Sequence, residues 1–198
     1  MQTTSFATRA IRLSWLWPSV FLLSVARAQA TPELTQILED NRTAMRSLVM
    51  LDGLWRGSGS TTLPSGARRN FTQTIRVGPF LEGSLRVIER RSYGSDGKLA
   101  ENTLEIISYN AETKAYFIRW YGQGIASDLP ITPSANGFSL EYPAGKDRIR
   151  FTVVVANGTW TEIAERISSG KQPVRLIEMT LRRLQNTDWP TGGSLPSR

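Results

Sequence analysis

Three glutamates in strand-like segments are the residues of this sequence best suited to chemistry. Glu89, Glu105 and Glu162 each lie within a run of mixed apolar and polar residues rather than in a turn. If two of them face a common interior, they can share a proton, orient a polar ligand group, or act as general acid and base. Alternatively, they are solvated outside or paired with arginines such as Arg90 or Arg150. The sequence leaves this choice open.

Bulky aromatic side chains accompany these carboxylates. Trp120 and Tyr121 adjoin in one segment, and Trp160 precedes Glu162 by two positions. Such residues either fill a core or line a small-molecule pocket, where their single polar atom sets orientation. We assign no catalytic residue, and the candidate ligand-binding residues are Glu89, Glu105, Trp120, Tyr121, Arg150 and Glu162.

The sequence contains neither histidine nor cysteine. This composition excludes catalytic triads that use histidine, histidine general bases, and metal or haem ligation by either residue type. Any catalysis would need carboxylates, tyrosine, lysine, serine or backbone groups. We therefore predict no metal and no cofactor, and a fold stabilised by its core rather than by disulfides.

The first 30 residues have the three parts of a secretory signal peptide. Arg9 and Arg12 charge the front, residues 13–23 are mainly apolar, and Ala28-Gln29-Ala30 offers small residues to a signal peptidase. The apolar run is too short for a membrane span, and a proline interrupts it. We predict cleavage after Ala30, no transmembrane anchor, and a periplasmic or secreted mature protein.

The charge of the chain indicates no nucleic-acid partner. The formal net charge is +7, and removal of the three arginines in residues 1–30 lowers it to +4. Nucleic-acid binding needs a concentrated basic face. Here the cations alternate with acids and hydroxyls.

The segment 31–50 is predicted to be an amphipathic helix. Thr31 is suited to the N-cap and Pro32 to the first helical position. Apolar residues then recur at helical spacing, from Leu34 to Val49. This helix either covers an open end of a sheet or binds a protein partner.

From residue 51 the pattern changes to that of short strands. Turn residues such as Asn157-Gly158 recur about every ten positions, and the runs between them alternate with period two, as in residues 148–155. No helix-length segment separates the strands, which excludes a parallel βαβ arrangement. We predict an all-β, single up-and-down antiparallel barrel of about nine to ten strands over residues 51–185, and a flexible tail over 186–198.

A series of motifs resembles the calycin group, which includes lipocalins and fatty-acid-binding proteins. The similarity is greatest to an uncharacterised bacterial exported family related to nitrobindin-like barrels, and it covers residues 51–184. The matching segments are 51–59 (LDGLWRGSG), 78–83 (GPFLEG), 93–97 (YGSDG), 107–110 (ISYN) with 113–114 (TK), 158–162 (GTWTE), and 178–183 (EMTLRR).

This resemblance implies a lipocalin-like barrel whose base is closed by Trp55, with Arg183 of the last strand stacked on it. Nitrobindin-like barrels hold haem through a histidine. Because this chain has none, the resemblance carries no haem site.

These observations predict an exported lipocalin-like protein that binds a small apolar or amphipathic molecule inside its barrel. We expect at least two of the four charged candidates to face a cavity of a few hundred cubic ångströms near Trp120. One alternative is an enzyme on the same barrel, of isomerase, cyclase or decarboxylase type, using carboxylate and tyrosine acid–base chemistry. Another is a filled barrel acting as an interaction module through the helix 32–50.

The signal-peptide interpretation predicts that the exported protein begins at Thr31. Ala30→Phe should abolish cleavage at this bond because the peptidase requires a small residue there, whereas Gln29→Leu should be cleaved normally. N-terminal sequencing of the exported chains measures both. An exported wild-type chain that still begins near Met1 would contradict the interpretation.

Overall fold

The computed structural model describes residues 32–189. The predicted signal peptide and residues 190–198 lie outside the described residues. A helix, α1 (Pro32–Arg46), and a short 3-10 turn (Val49–Leu51) precede the strands, and a second 3-10 turn spans Leu81–Gly83. Within residues 32–189, no helix has the length and apolar character needed to cross a bilayer.

Ten strands form a closed antiparallel barrel in which each strand pairs with its neighbours in the chain and β10 pairs with β1. The predicted all-β up-and-down barrel with one N-terminal helix is therefore confirmed. The strands are β1 (Gly53–Thr62), β2 (Arg68–Phe80), β3 (Leu85–Tyr93), β4 (Leu99–Asn110), β5 (Ala115–Gly122), β6 (Ile125–Ser134), β7 (Gly137–Ala144), β8 (Asp147–Ala156), β9 (Thr159–Ile167) and β10 (Val174–Gln185).

The hairpins follow from local turn chemistry. Asn157 and Gly158 connect β8 to β9, with φ angles of 51° and 67°. Two successive residues at positive φ match the right-handed twist of the flanking strands. Period-two alternation then decides which side chains enter the barrel, as for Ile149, Val153 and Val155 of β8, which are all buried.

The helical segment covers one end of the barrel. Met45, Leu48 and Leu51 are fully buried in the core, and the Tyr116 hydroxyl donates a hydrogen bond to the carbonyl of Ala44 (3.0 Å). The α-helix is shorter than predicted and ends at Arg46. After it, the amide of Leu48 bonds the carbonyl of Met45 and the amide of Leu51 bonds that of Leu48, a tighter winding that turns both leucines into the barrel.

The first residues after β10 lie against the outside of β2. The Trp189 ring makes an edge contact with Phe80 (centroids 5.7 Å apart), and the Arg76 guanidinium lies 5.2 Å from its centroid. A β-carbon at Gly78 would lie 2.6 Å from that of Trp189, so the glycine makes room for this approach. These contacts tie the start of the predicted tail to the barrel.

The base of the barrel is closed by the pair that the resemblance implied. Trp55 of β1 lies opposite Arg183 of β10, whose guanidinium is 4.7 Å from the indole centroid. Arg183 also donates to the carbonyl of Met50 (3.0 Å), and the Trp55 indole nitrogen donates to that of Leu51 (2.9 Å). The pair therefore joins the first strand, the last strand and the 3-10 turn that covers the end.

We predict that Trp55→Ala and Arg183→Ala destabilise the fold non-additively. The tryptophan should contribute about 3–5 kcal/mol through buried aromatic area and the arginine about 0.5–2 kcal/mol. Because the two side chains touch, the double variant should lose less than the sum, as measured by urea denaturation.

Arg182→Ala provides the matched control, since Arg182 is the neighbouring arginine of β10 and donates to Thr159 Oγ1 on β9 instead of contacting Trp55. Its effect should add to that of Trp55→Ala. Strict additivity for Arg183 as well would show that the cation–π contact contributes no coupling energy.

Candidate ligand-binding site

A cavity of about 670 Å³ occupies the barrel interior. It opens at the end away from α1, where residues near the β1–β2, β3–β4 and β5–β6 hairpins form its rim, among them Thr61, Arg69, Gly94 and Gln123. Its walls are mainly apolar and aromatic. They include Phe71, Ile118, Trp120, Leu140, Phe151 and Met179. The predicted size of a few hundred cubic ångströms agrees with this volume, and a filled interior is excluded.

Arg90 of β3 is the central polar group of the cavity. Its Nε lies 2.7 Å from Oε1 of Glu105 on β4, and its Nη1 donates to Oε2 of Glu162 on β9, also at 2.7 Å. The guanidinium lies 5.5 Å from the ring centroid of Trp160, whose indole nitrogen donates to the same Glu162 oxygen (3.3 Å). One buried cation thus holds two carboxylates. We call Arg90, Glu105 and Glu162 the interior triad.

Strand pairing explains the contact of Arg90 with Glu105 but not its contact with Glu162. Arg90 lies opposite Thr103 in the β3–β4 register, and Glu105 is two positions further on, so the two meet diagonally on the inner face. By contrast, β3 and β9 are separated by β2, β1 and β10 around the barrel. The contact of Arg90 with Glu162 therefore crosses the lumen.

The charges of the interior triad respond to burial and to one another. Burial opposes the charge of Arg90, but the two neighbouring carboxylates raise its pKa, so it stays protonated. Burial raises the pKa of Glu105 above its ordinary value, while Arg90 counteracts this effect. Arg90 thus opposes the effect of burial on the Glu105 carboxyl without cancelling it.

A second internal ion pair lies toward the covered end. Arg86 Nε is 2.8 Å from Oδ1 of Asp52, and Arg86 also donates to the carbonyl of Gly83 (3.2 Å). Burial raises the pKa of Asp52, against the lowering effect of Arg86. Neither residue borders the cavity, so we assign this pair to the structure of the base.

Three of the six predicted ligand-binding residues line the cavity: Glu105, Trp120 and Glu162. Two of the four charged candidates thus face the interior near Trp120, as expected. The structure also combines two alternatives that the sequence left separate, because the inward glutamates are the ones paired with Arg90.

Glu89, Tyr121 and Arg150 do not line the cavity, and their assignment to the barrel interior is corrected here. Glu89 accepts a hydrogen bond from Arg91 Nε (2.9 Å), Arg150 donates to Glu141 (2.6 Å), and Tyr121 is exposed on the outer face. Each adjoins a cavity-lining residue in its own strand. Because successive side chains of a strand point to opposite faces, the three point outward.

Sequence reasoning missed Arg90 as a site residue. The alternation of β3 indicates its direction, because Arg86 and Ile88 lie on the same face of the strand as Arg90 and are both buried. The alternation of β3 therefore places Arg90 inward, but an arginine in a core position contradicts the usual preference for the surface. Only the carboxylates across the lumen make this position favourable.

Within residues 32–189, no group of three or more carboxylates converges in a way that would hold a metal ion. The free oxygens of the interior triad instead face a cavity with apolar walls. This arrangement suits a ligand with an apolar body and a polar end.

Comparisons with known proteins show the fold of this chain but not its family or function. No protein-family model matches the sequence, and no curated protein does. The crystal structure of Rv2717c from M. tuberculosis is similar with a TM-score of 0.54 and 11% identity, over 72% of this chain and 98% of its own. The S-type phycobiliprotein lyase CPES from Guillardia theta is similar with a TM-score of 0.50 and 10% identity, over 75% and 97%. The chain therefore has a lipocalin-like barrel fold.

We predict that Arg90→Met destabilises the protein by about 3–5 kcal/mol at pH 7.5, because it leaves buried carboxylates without their cation. Without Arg90 the pKa of Glu105 should rise further from its ordinary value of 4.5. The folded protein then binds a proton that the unfolded chain does not, so the variant should regain stability as pH falls toward 5.

Arg91→Met is the matched control, because Arg91 pairs with Glu89 on the outer face and its side chain is half exposed. Its cost should stay within about 1 kcal/mol and should not depend on pH in this range. Urea unfolding at pH 7.5, 6 and 5 measures both variants. A loss for Arg90→Met that is equal at all three pH values would contradict the assigned role of the arginine.

Proposed function

We propose that this protein is exported to the periplasm or the exterior and binds a small, largely apolar molecule inside its barrel. The observation that carries the proposal is the cavity of about 670 Å³ with apolar and aromatic walls and the polar interior triad. Small-molecule sites typically have this size and this combination of a hydrophobic lining with few polar groups.

In this proposal the cavity walls and the interior triad have different roles in binding. Burial of an apolar body against the walls supplies affinity, at about 25 cal/mol for each Å² removed from water. The interior triad orients the polar end. The half-buried Trp120 lines the same cavity, and we propose that it contacts the ligand body.

The proposal includes the relationship to the exported bacterial family of nitrobindin-like barrels. It is supported by the motif series that begins at residues 51–59 and by the closure of the barrel through Trp55 and Arg183. Haem is not the ligand we propose, because this chain has no histidine to hold it.

An enzyme on the same barrel is the second candidate, and the environment of Glu105 favours it. Burial raises the pKa of this carboxyl, and a raised pKa helps a carboxyl act as a general acid near neutral pH. Glu105→Gln would abolish a reaction of this kind, whereas a binding protein would keep its affinity for a ligand held by apolar contacts.

The binding proposal predicts that the neutral apolar dye N-phenyl-1-naphthylamine enters the cavity and gains fluorescence. Ser127 lines the cavity, and Ala126 beside it on β6 does not. Ser127→Trp should weaken dye binding at least tenfold by filling the space, while Ala126→Trp should bind like the wild type. Fluorescence titration measures affinity, and circular dichroism verifies that both variants are folded.

Equal dye affinity in these two tryptophan variants would place the dye outside the barrel. Absence of dye binding to the wild type would also count against the proposal.

A further inference from the structure

The charges that line the cavity do not balance. Two arginines face three glutamates there: Arg69, Arg90, Glu101, Glu105 and Glu162. Arg69 and Glu101 are exposed at the rim, and their opposite formal charges cancel. In formal charge, the one excess glutamate therefore belongs to the interior triad, inside a chain whose formal net charge is +7.

Each glutamate of the interior triad has one carboxylate oxygen that accepts no hydrogen bond from residues 32–189. The bonds and ion pairs of Glu105 use Oε1, and those of Glu162 use Oε2. In the described part of the chain, no donor reaches the other oxygen of either glutamate. Both residues are about nineteen-twentieths buried, with 5% and 6% exposed. Neither free oxygen is among the fully buried atoms of these residues that lack a partner, so both are accessible to a ligand in the cavity.

Thr103 supplies an independent sign of a missing partner. This residue lines the cavity beside Arg90 in the strand register, and only 5% of it is exposed. Its hydroxyl oxygen is buried and has no hydrogen-bond partner among residues 32–189. Gln73, by contrast, is already engaged, since it donates to the carbonyl of Thr74 and accepts from Ser92.

We infer that the ligand carries a cationic, hydrogen-bond-donating amine end that lies against Glu105, Glu162 and Thr103. An ammonium group brings three donors and one positive charge, which matches the unused acceptors and the missing charge. A carboxylate end would instead bring a like charge beside the two glutamates, whose ion pairs already engage Arg90. This inference rests on the proposed binding function and specifies its ligand class.

Three amphiphiles with the same apolar tail test the inference: decylamine, 1-decanol and decanoate. Each is titrated as a competitor of N-phenyl-1-naphthylamine bound to the full chain at pH 7, where the amine is cationic and decanoate is anionic. The expected order of affinity is amine, alcohol, carboxylate, with at least a tenfold difference between the first and the last. A decanoate affinity equal to or above that of decylamine would overturn the inference.

Variants that replace one glutamate by glutamine test which residues cause the preference for the amine. Glu162→Gln and Glu105→Gln should each bring the affinity for decylamine to within about threefold of that for decanol, with decanol itself little changed. Glu89→Gln is the matched control on the outer face and should retain the wild-type preference. Thermal melting verifies folding, and if one glutamine variant fails to fold, the other and the wild-type ranking still decide.

The outcomes separate the two proposals. If the dye and decanol bind but decylamine has no advantage over decanoate, the amine inference fails and the binding function stands. If neither the dye nor any of the three amphiphiles binds, both fail. A preference for decylamine that survives in both glutamine variants would also overturn the inference, because it would place the amine elsewhere.

Discussion

The buried charge of Arg90 is the constraint around which the interior of this barrel is organised. A guanidinium in an apolar lumen is unfavourable unless carboxylates and aromatic faces surround it. Here Glu105 comes from the neighbouring strand and Glu162 from across the lumen. Trp160 lies beneath the guanidinium and makes an edge contact with Trp55 (centroids 5.6 Å apart). The polar centre of the cavity and the closed base of the barrel therefore form one continuous column of side chains.

This column links stability to function. The inner wall must hold Glu162 and Trp160 in place for Arg90 to be tolerated, so the barrel wall and the triad stabilise each other. The same arrangement places two carboxyl groups around one cation and leaves one oxygen of each without a donor in the described part of the chain. A site with unused acceptors inside an apolar cavity has the greatest effect on a ligand that brings donors, since water cannot replace them as well in a confined space.

The similarity to Rv2717c and to the phycobiliprotein lyase shows why fold and function need separate arguments. An up-and-down barrel depends on alternation and tight turns, which many sequences satisfy, and 11% identity suffices for the common architecture. The chemistry of the interior depends on a few inward positions. In this chain those positions include Arg90, Glu105 and Glu162, and proposals about its ligand rest on them rather than on the neighbours.

The sequence by itself determined the barrel, the presence of an N-terminal helix and the exclusion of histidine and cysteine chemistry. Period-two runs, turn pairs such as Asn157-Gly158 and the lack of histidine are local or compositional properties, so they can be read without coordinates. Only the tertiary structure decided that Glu105 and Glu162 point inward while Glu89 points outward, and that Arg90 joins them. The physical reason is distance along the chain. Arg90 and Glu162 are 72 positions apart, and their contact exists only because the closure of ten strands brings opposite walls of the lumen together.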